Sequence, residues 1–420
     1  MPTEKQNSEH YLEQLEQKEE DRHRHILNLI ASENYPSGRV LGMLSSAFAC
    51  KYAEGYPGAR YYGGCEVVDE LEEYTRKLAR EVFQMPYANV QPHSGAQANM
   101  AVYQALLKPG DTVLALSLDD GGHLTHGSRA NESGKIYNFV SYPVHRAENG
   151  YAIDMDEVER LAEQEKPALI VVGGSSTVAP SDYAQFRRIA DKVGARLMAD
   201  IAHTAGFIAA GVLPSPAPYA DVITMTTQKT LRGPRGGLIL STEELGPKID
   251  SAVFPGTQGG PHMHTIASKA AALEEAAAPE FRTYQEQVKR AAQGFASFMM
   301  EQENGAENVL YNADAMPHMV LINTLDMYGL TGKEAQQLLE NAGIIVNKQM
   351  LPGDTQKPSV GSGIRVGFPA AVSRHMHGSS EEFPYELTGR AIDTILRSKG
   401  EAEPDEELRT FIESQPWPIS

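Results

Sequence analysis

Short apolar runs and amphipathic stretches alternate through the middle of the chain. Asp111–Leu118 (DTVLALSL), Ala168–Gly173 (ALIVVG), Arg196–Asp200 (RLMAD), Asp221–Thr226 (DVITMT) and Gly237–Ser241 (GLILS) have the pattern of strands buried on both faces. Helical spacing falls between several of them, over Asp154–Glu165 and Ser181–Val193. That rhythm predicts a mostly parallel sheet covered by helices on both sides, with its site at the carboxyl ends of strands. Upstream, Val67–Phe83 (VVDELEEYTRKLAREVF) reads as an amphipathic helix whose early acids and late bases suit the macrodipole. Residues 1–28 are polar and charged, with little apolar beyond Tyr11, Leu12 and Leu15, which predicts an arm that needs a partner surface. Downstream, the Ala/Glu-rich stretch His264–Glu303 predicts one long helix. After it come a strand (Met319–Leu325), a helix (Thr331–Ala342), strands at Ile344–Asn347 and Ile364–Val366, and a helix near Glu386–Arg397. This second pattern predicts a smaller α+β domain, interrupted by the breaker-rich loop Met350–Gly363.

Length agrees with two domains, since 420 residues exceed what one hydrophobic core usually supports. With 37 Lys+Arg against 55 Asp+Glu the formal charge is −18, which disfavours nucleic acid and anionic membranes as partners without a local basic patch. His23–His25 (HRH) is too short to be one. No apolar run approaches a membrane span, the start MPTEKQNSEH carries no signal-peptide core, and Cys50 and Cys65 supply neither a zinc pattern nor a disulfide framework. The expectation is a cytoplasmic α/β protein.

The densest chemistry lies in Asp221–Gly237 (DVITMTTQKTLRGPRGG), where an apolar strand runs into Thr-Thr-Gln-Lys and a Gly/Pro-rich turn. Lys229 just past a strand end suits a buried amine of lowered pKa that reacts with a carbonyl. Asp200 ends the strand RLMAD, where a carboxylate can pair with a pyridinium nitrogen, and His203 follows three residues on. His93-Ser94-Gly95-Ala96-Gln97 opens a helix whose free amides can meet a phosphate. His123 and His126 invite a metal, but no Asp, Glu or Cys at suitable spacing completes a site, so none is expected.

With these residues in view the chain resembles the serine hydroxymethyltransferase family. The resemblance rests on LIASENYPS (29–37), KYAEGYPGARYYGG (51–64), NVQPHSGAQAN (89–99), GGHLTHGS (121–128), residues 200–211 and 226–240, SAVFPGTQGG (251–260), Val346-Asn347-Lys348 and SGIRVG (362–367), in order along most of the chain. It implies an aspartate-aminotransferase-like (fold type I) large domain with a mostly parallel, seven-stranded sheet and a smaller α+β C-terminal domain. Residues 1–50 would be an arm packing on the partner subunit, 51–280 the large domain and 281–420 the small one. It implies pyridoxal 5'-phosphate as cofactor and tetrahydrofolate as co-substrate. Lys229 would hold the cofactor covalently, Asp200 would pair with its ring nitrogen, His123 would stack on the ring, and His203 and Ser175 would touch its hydroxyl side. Ser94, Gly95 and, from the partner, Gly260 would hold the phosphate, with Thr226 and Tyr52 also at the cofactor. Arg365 would clamp the substrate carboxylate bidentately, assisted by Ser32. Glu54 would be the acid/base at the hydroxymethyl group with Tyr52 and Tyr62 beside it, all three reaching over from the neighbouring chain of a homodimer, with a tetramer as the alternative assembly. Leu118, Gly122, Phe254 and Asn347 would contact the folate.

The sequence departs from the family pattern at five places. Gln228 replaces a histidine before the lysine, Asp120 (after Asp119) replaces another, Thr177 stands for a tyrosine, Phe368 for a threonine and Thr257 for a glycine. A smaller side chain at 177 could open room for an α-substituent, so α-methylserine with alanine is an alternative to serine with glycine. A folate-independent threonine-type aldolase is a further alternative, opposed by the retained Glu54, Asn347 and Phe254. A non-catalytic scaffold or RNA-binding regulator is opposed by the retained Lys229, Asp200, Arg365 and Glu54 and by the charge.

Overall fold

The computed structural model describes residues 10–147, 150–402 and 405–417. A seven-stranded sheet runs in the spatial order Tyr87–Asn89, Gly237–Ser241, Val222–Thr226, Arg196–Asp200, Leu169–Val172, Thr112–Leu116, Asn138–Tyr142. The last five are mutually parallel, and Gly237–Ser241 alone runs antiparallel to both of its neighbours. All five residues of Val222–Thr226 and of Gly237–Ser241 are buried, which is why both read as unbroken apolar runs. Asn138–Tyr142 is an edge strand with one buried residue of five, and Tyr87–Asn89 has only three residues. Neither carries enough apolar signal to stand out in the sequence.

The helix Glu66–Phe83 buries Val68, Ala79 and Phe83 along one side, with Glu66 and Asp69 in its first turn and Arg80 in its last. It packs on Met263–Ala276, an alanine-rich helix buried nearly all round. The single helix expected over His264–Glu303 is two helices, Met263–Ala276 and Pro279–Met300. Ala278, at φ −82° and ψ 148°, takes the extended conformation that a following proline imposes, and Pro279 opens the second helix at its first turn. Helical spacing continues across the break, so periodicity alone hid it.

A second, antiparallel sheet orders Val309–Leu310, Met319–Ile322, Gly363–Gly367 and Asn347–Gln349. The strand expected to reach Leu325 stops at Ile322, because Asn323 caps a short helix over Thr324–Tyr328. The expected strand Ile344–Asn347 is divided between two sheets: Ile344–Ile345 pairs in parallel with Leu27–Asn28, and Asn347 begins the strand opposite Arg365. Leu27, Leu29 and Ala31 are therefore buried within this chain, whereas Tyr11–Arg24 forms a helix with no buried residue. A further helix, Glu406–Ser414, lies beyond the last one expected. Among the described residues no helix is long and apolar enough to cross a membrane.

Candidate active site

The parallel strands Arg196–Asp200 and Val222–Thr226 lie side by side with Asp200 opposite Thr224, so their carboxyl ends open on the same edge of the sheet. Lys229 follows three residues past the second end. A cavity of about 370 Å³ forms there, walled by Ser94, Gly95, His123, Ser175, Asp200, His203, Thr226, Lys229 and Arg365, with Ser32 at its rim. Ten of the predicted residues thus meet at one place.

Asp200 is 8% exposed and accepts hydrogen bonds on Oδ2 from Asn99 Nδ2 (2.9 Å) and His126 Nε2 (3.1 Å), and on Oδ1 from the Ala202 amide (3.0 Å). Burial alone would raise its carboxyl. The His126 hydrogen bond and charge, with His123 and Asn99, outweigh burial and hold it well below the ordinary carboxylate range. Asn99 is itself fixed through the Thr224 hydroxyl (2.7 Å). Lys229, also 8% exposed, is pulled down to about 8 by burial and by the cations Arg365 and Arg235, against the pull of Asp200. His123, with Nδ1 2.8 Å from the Thr125 hydroxyl, is pushed by burial to about 4 and is neutral at physiological pH.

Ser94 caps the helix Gly95–Leu106 by accepting from the Gln97 amide, leaving the first amides of that helix facing the cavity. Backbone and sheet approach closely here: a Cβ on Gly95 would stand 2.5 Å from Thr226 Cγ2. Across the cavity Arg365 reaches over from the small sheet. Its Nε donates to Asn347 Oδ1 (3.0 Å), directly opposite in register, and its Nη1 donates to the Ser175 carbonyl (2.9 Å). Burial lowers it to about 10, yet it stays charged, and it forms no ion pair among the described residues. A buried guanidinium without an acid partner is a receptor for a carboxylate.

Other predicted residues gather elsewhere. Tyr52 (58% exposed), Glu54 and Tyr62 (47% exposed) cluster outside this cavity, with the two tyrosine rings 5.2 Å apart. Glu54's carboxylate raises the Tyr62 phenol above its ordinary value. Gly260 and Gly259 abut the same cluster, since a Cβ on either would lie 2.8 Å from the Tyr52 ring or 3.3 Å from Glu54 Oε1. Phe254 is half-buried against Tyr61. Leu118 and Gly122 belong to the turn after Thr112–Leu116, closed by the Gly122 amide on the Ser117 carbonyl (2.7 Å). Of the departures from the family pattern, Gln228 lines the cavity, while Asp120 and Thr177 do not. Asp120 bonds the Ser117 hydroxyl (2.8 Å), and Thr177 donates to the Asp120 carbonyl (3.2 Å) beneath Gly121. Thr177 faces an adjoining cavity of about 50 Å³, lined also by Leu116, Tyr183 and Met316, which shares Gly174 and Asp200 with the Lys229 cavity.

Sequence reasoning missed Asn99 and Arg235, and it weighed His126 only as a metal ligand, whereas its ring is spent on Asp200. Among the described residues no group of three or more His, Cys, Asp or Glu is placed to hold a metal. It also missed His318, which lies behind His203 and carried no motif to find it.

These residues fit pyridoxal phosphate: a buried amine of lowered pKa, a carboxylate held ionised for a ring nitrogen, a neutral imidazole for a ring face, and helix amides for a phosphate. Fold and site together define a fold type I pyridoxal-phosphate enzyme. Comparison with known proteins narrows the class. The family model described as serine hydroxymethyltransferase matches residues 5–384. "Serine hydroxymethyltransferase 1" of Pseudomonas aeruginosa is 52% identical over 396 residues, covering 94% of this chain and 92% of its own. The serine hydroxymethyltransferase of Legionella pneumophila is 54% identical over 358 residues (85% of this chain, 84% of its own), and that of Lactobacillus gasseri 50% over 357 (85% of each). The chain belongs to the serine hydroxymethyltransferase family, whose members are pyridoxal-phosphate-dependent transferases with tetrahydrofolate as co-substrate.

Proposed function

We propose that this chain moves a one-carbon unit between serine and tetrahydrofolate, with glycine as the amino-acid product. The observation that carries the reading is Arg365: a buried guanidinium with no acid partner among the described residues, on the same cavity as Lys229 and Asp200, as an α-amino-acid carboxylate requires. Pyridoxal phosphate, when bound, supplies the electron sink that makes the bonds at the substrate Cα labile. Asp200 would keep a proton on the ring nitrogen, because its own carboxyl is held ionised by His126 and Asn99. Lys229 presents an amine that sheds its proton readily. Arg365 and Ser32 would orient the substrate by its carboxylate, Ser94 with the Gly95 amide would hold the phosphate, and His123 would meet the ring as a neutral imidazole.

Two copies complete the site in this reading. Tyr52, Glu54, Tyr62 and Gly260, the residues expected to serve a neighbouring chain, lie together on one exposed patch, which supports their acting as a unit in a second copy's cavity. There Glu54 would hold and move the proton at the hydroxymethyl oxygen, and Leu118, Gly122, Phe254 and Asn347 would meet the folate.

Serine, not α-methylserine, is the substrate we assign. What supports this choice is the 50–54% identity to relatives named serine hydroxymethyltransferase, with Thr177 lining a neighbouring cavity and not the Lys229 cavity itself. The test is a side-by-side assay of tetrahydrofolate-dependent glycine release from L-serine and alanine release from α-methyl-L-serine. Higher kcat/KM on serine is expected. Preference for α-methylserine, or cleavage of β-hydroxy amino acids without folate, would replace the assignment.

A further inference from the structure

His203 lines the cavity, and its ring is backed by a second histidine that no motif marks. His318, just ahead of the strand Met319–Ile322, is fully buried, its ring meeting that of His203 edge to edge at a centroid distance of 5.4 Å and 27° between planes. His203 Nδ1 and His318 Nε2 are 3.1 Å apart, so one proton lies between them. His203 Nε2 looks the other way, 3.5 Å from the Ser175 hydroxyl on the cavity wall. His318 Nδ1 is buried with no hydrogen-bond partner. Burial, with Lys229 and Arg365 nearby, holds both imidazoles well below their ordinary range, so each carries a single proton.

Two arrangements satisfy the shared contact. If His203 donates from Nδ1, the His318 proton must sit on Nδ1, which buries an N–H with nothing to receive it. If His318 donates from Nε2, the orphan is only an unused lone pair. Buried donors without acceptors are rarer and costlier than under-used acceptors. The Ser175 hydroxyl rotates and serves either arrangement, so the far end of the pair decides.

We propose that His318 is a positioning residue that donates from Nε2 to His203 Nδ1 and thereby fixes His203 as the tautomer with its proton on Nε2, aimed into the cavity. His203 then enters the site as a hydrogen-bond donor, suited to an oxygen on the cofactor ring. That last step rests on the proposed function; the tautomer does not.

The test uses the full chain with ¹⁵N-labelled histidine, read by imidazole nitrogen spectra without cofactor and again with it. The His203 signals are assigned by their loss in His203→Gln. An Nε2-protonated His203 is expected in wild type. His318→Leu should leave the His203 Nδ1 lone pair without its hydrogen bond and so move that nitrogen's resonance, shift the absorption spectrum of the loaded enzyme and lower kcat roughly tenfold to hundredfold, the range for partners that orient metal-bound histidines. His318→Gln, whose amide keeps a donor, should restore both resonance and spectrum. An Nδ1-protonated His203 in wild type overturns the proposal, and so does an unchanged Nδ1 resonance in His318→Leu. Should His318→Leu not fold, the wild-type spectrum decides alone. A chain that fails to bind pyridoxal phosphate while showing the Nε2 tautomer would refute the functional reading and leave this inference standing.

Discussion

Two buried groups 8% exposed, Asp200 and Lys229, are driven in the same direction on the pH scale for different reasons. For Asp200 the hydrogen bonds and charges around it overcome burial, whereas for Lys229 burial dominates. A native value of about 8 against the ordinary 10.5 of a lysine makes the ammonium form of Lys229 costly, by about 3 kcal/mol. Between those two values the unfolded chain binds more protons than the native one, so this cost is relieved as pH rises through that window. The cofactor-free chain should therefore gain stability relative to Lys229→Met between pH 8 and 10.5, read as a growing difference in Tm. The same lowered value leaves roughly a tenth to a fifth of the amine neutral near physiological pH, far more than an ordinary lysine offers. Capture of pyridoxal phosphate, followed by absorbance, should accelerate with a midpoint near pH 8; a midpoint near 10.5 would show that the amine is not desolvated. At this scale Lys229, Asp200 and Arg365 were legible in the sequence because motif and residue type coincide. Asn99 and His126 were not, since an amide in a helix and a histidine three residues from another acquire their role only when Asp200 is brought against them.

Elements decide how closely these groups can approach. The helix Gly95–Leu106 points its first amides at the cavity because Gly95 lets the backbone lie against Thr226. Gly95→Ala should press its methyl on Thr226 Cγ2, 2.5 Å away, and pull the helix start from the phosphate position. Cofactor affinity should fall about tenfold, equivalent to about 1.4 kcal/mol. Thr226→Ser removes that methyl, so the double variant should recover most of the affinity; equilibrium titration of the cofactor-free chain measures both. No recovery would mean that the glycine acts through something other than this contact. The central strands and their order of use were readable because burial on both faces leaves a continuous apolar run. The break at Ala278–Pro279 and the division of Ile344–Asn347 between two sheets were less so. Each depends on a partner element distant in sequence, or on one residue's backbone, while the periodicity around it is uninterrupted.

At the scale of the whole molecule, the large sheet supplies Asp200 and Lys229, the small sheet supplies Arg365, and the Ser175 carbonyl joins the two through one hydrogen bond. Glu54 and its tyrosines lie outside the cavity of their own chain. Tyr11, Leu12 and Leu15 on the N-terminal helix are likewise exposed in a chain of net charge −18. If two copies exchange their Glu54 patches, Lys229→Ala and Glu54→Gln are defects of different kinds in the same shared site. A homodimer of either variant has two defective cavities. A mixed dimer has one cavity carrying both defects and one carrying neither. Random exchange makes half of the dimers mixed, so unfolding and refolding an equimolar mixture should restore about a quarter of the wild-type activity from two nearly inactive parents. Refolding each variant alone should restore none. Activity that stays at the level of the parents, in a mixture shown to contain mixed dimers, would place Glu54 in service of its own chain's cavity and require the loop carrying it to move there.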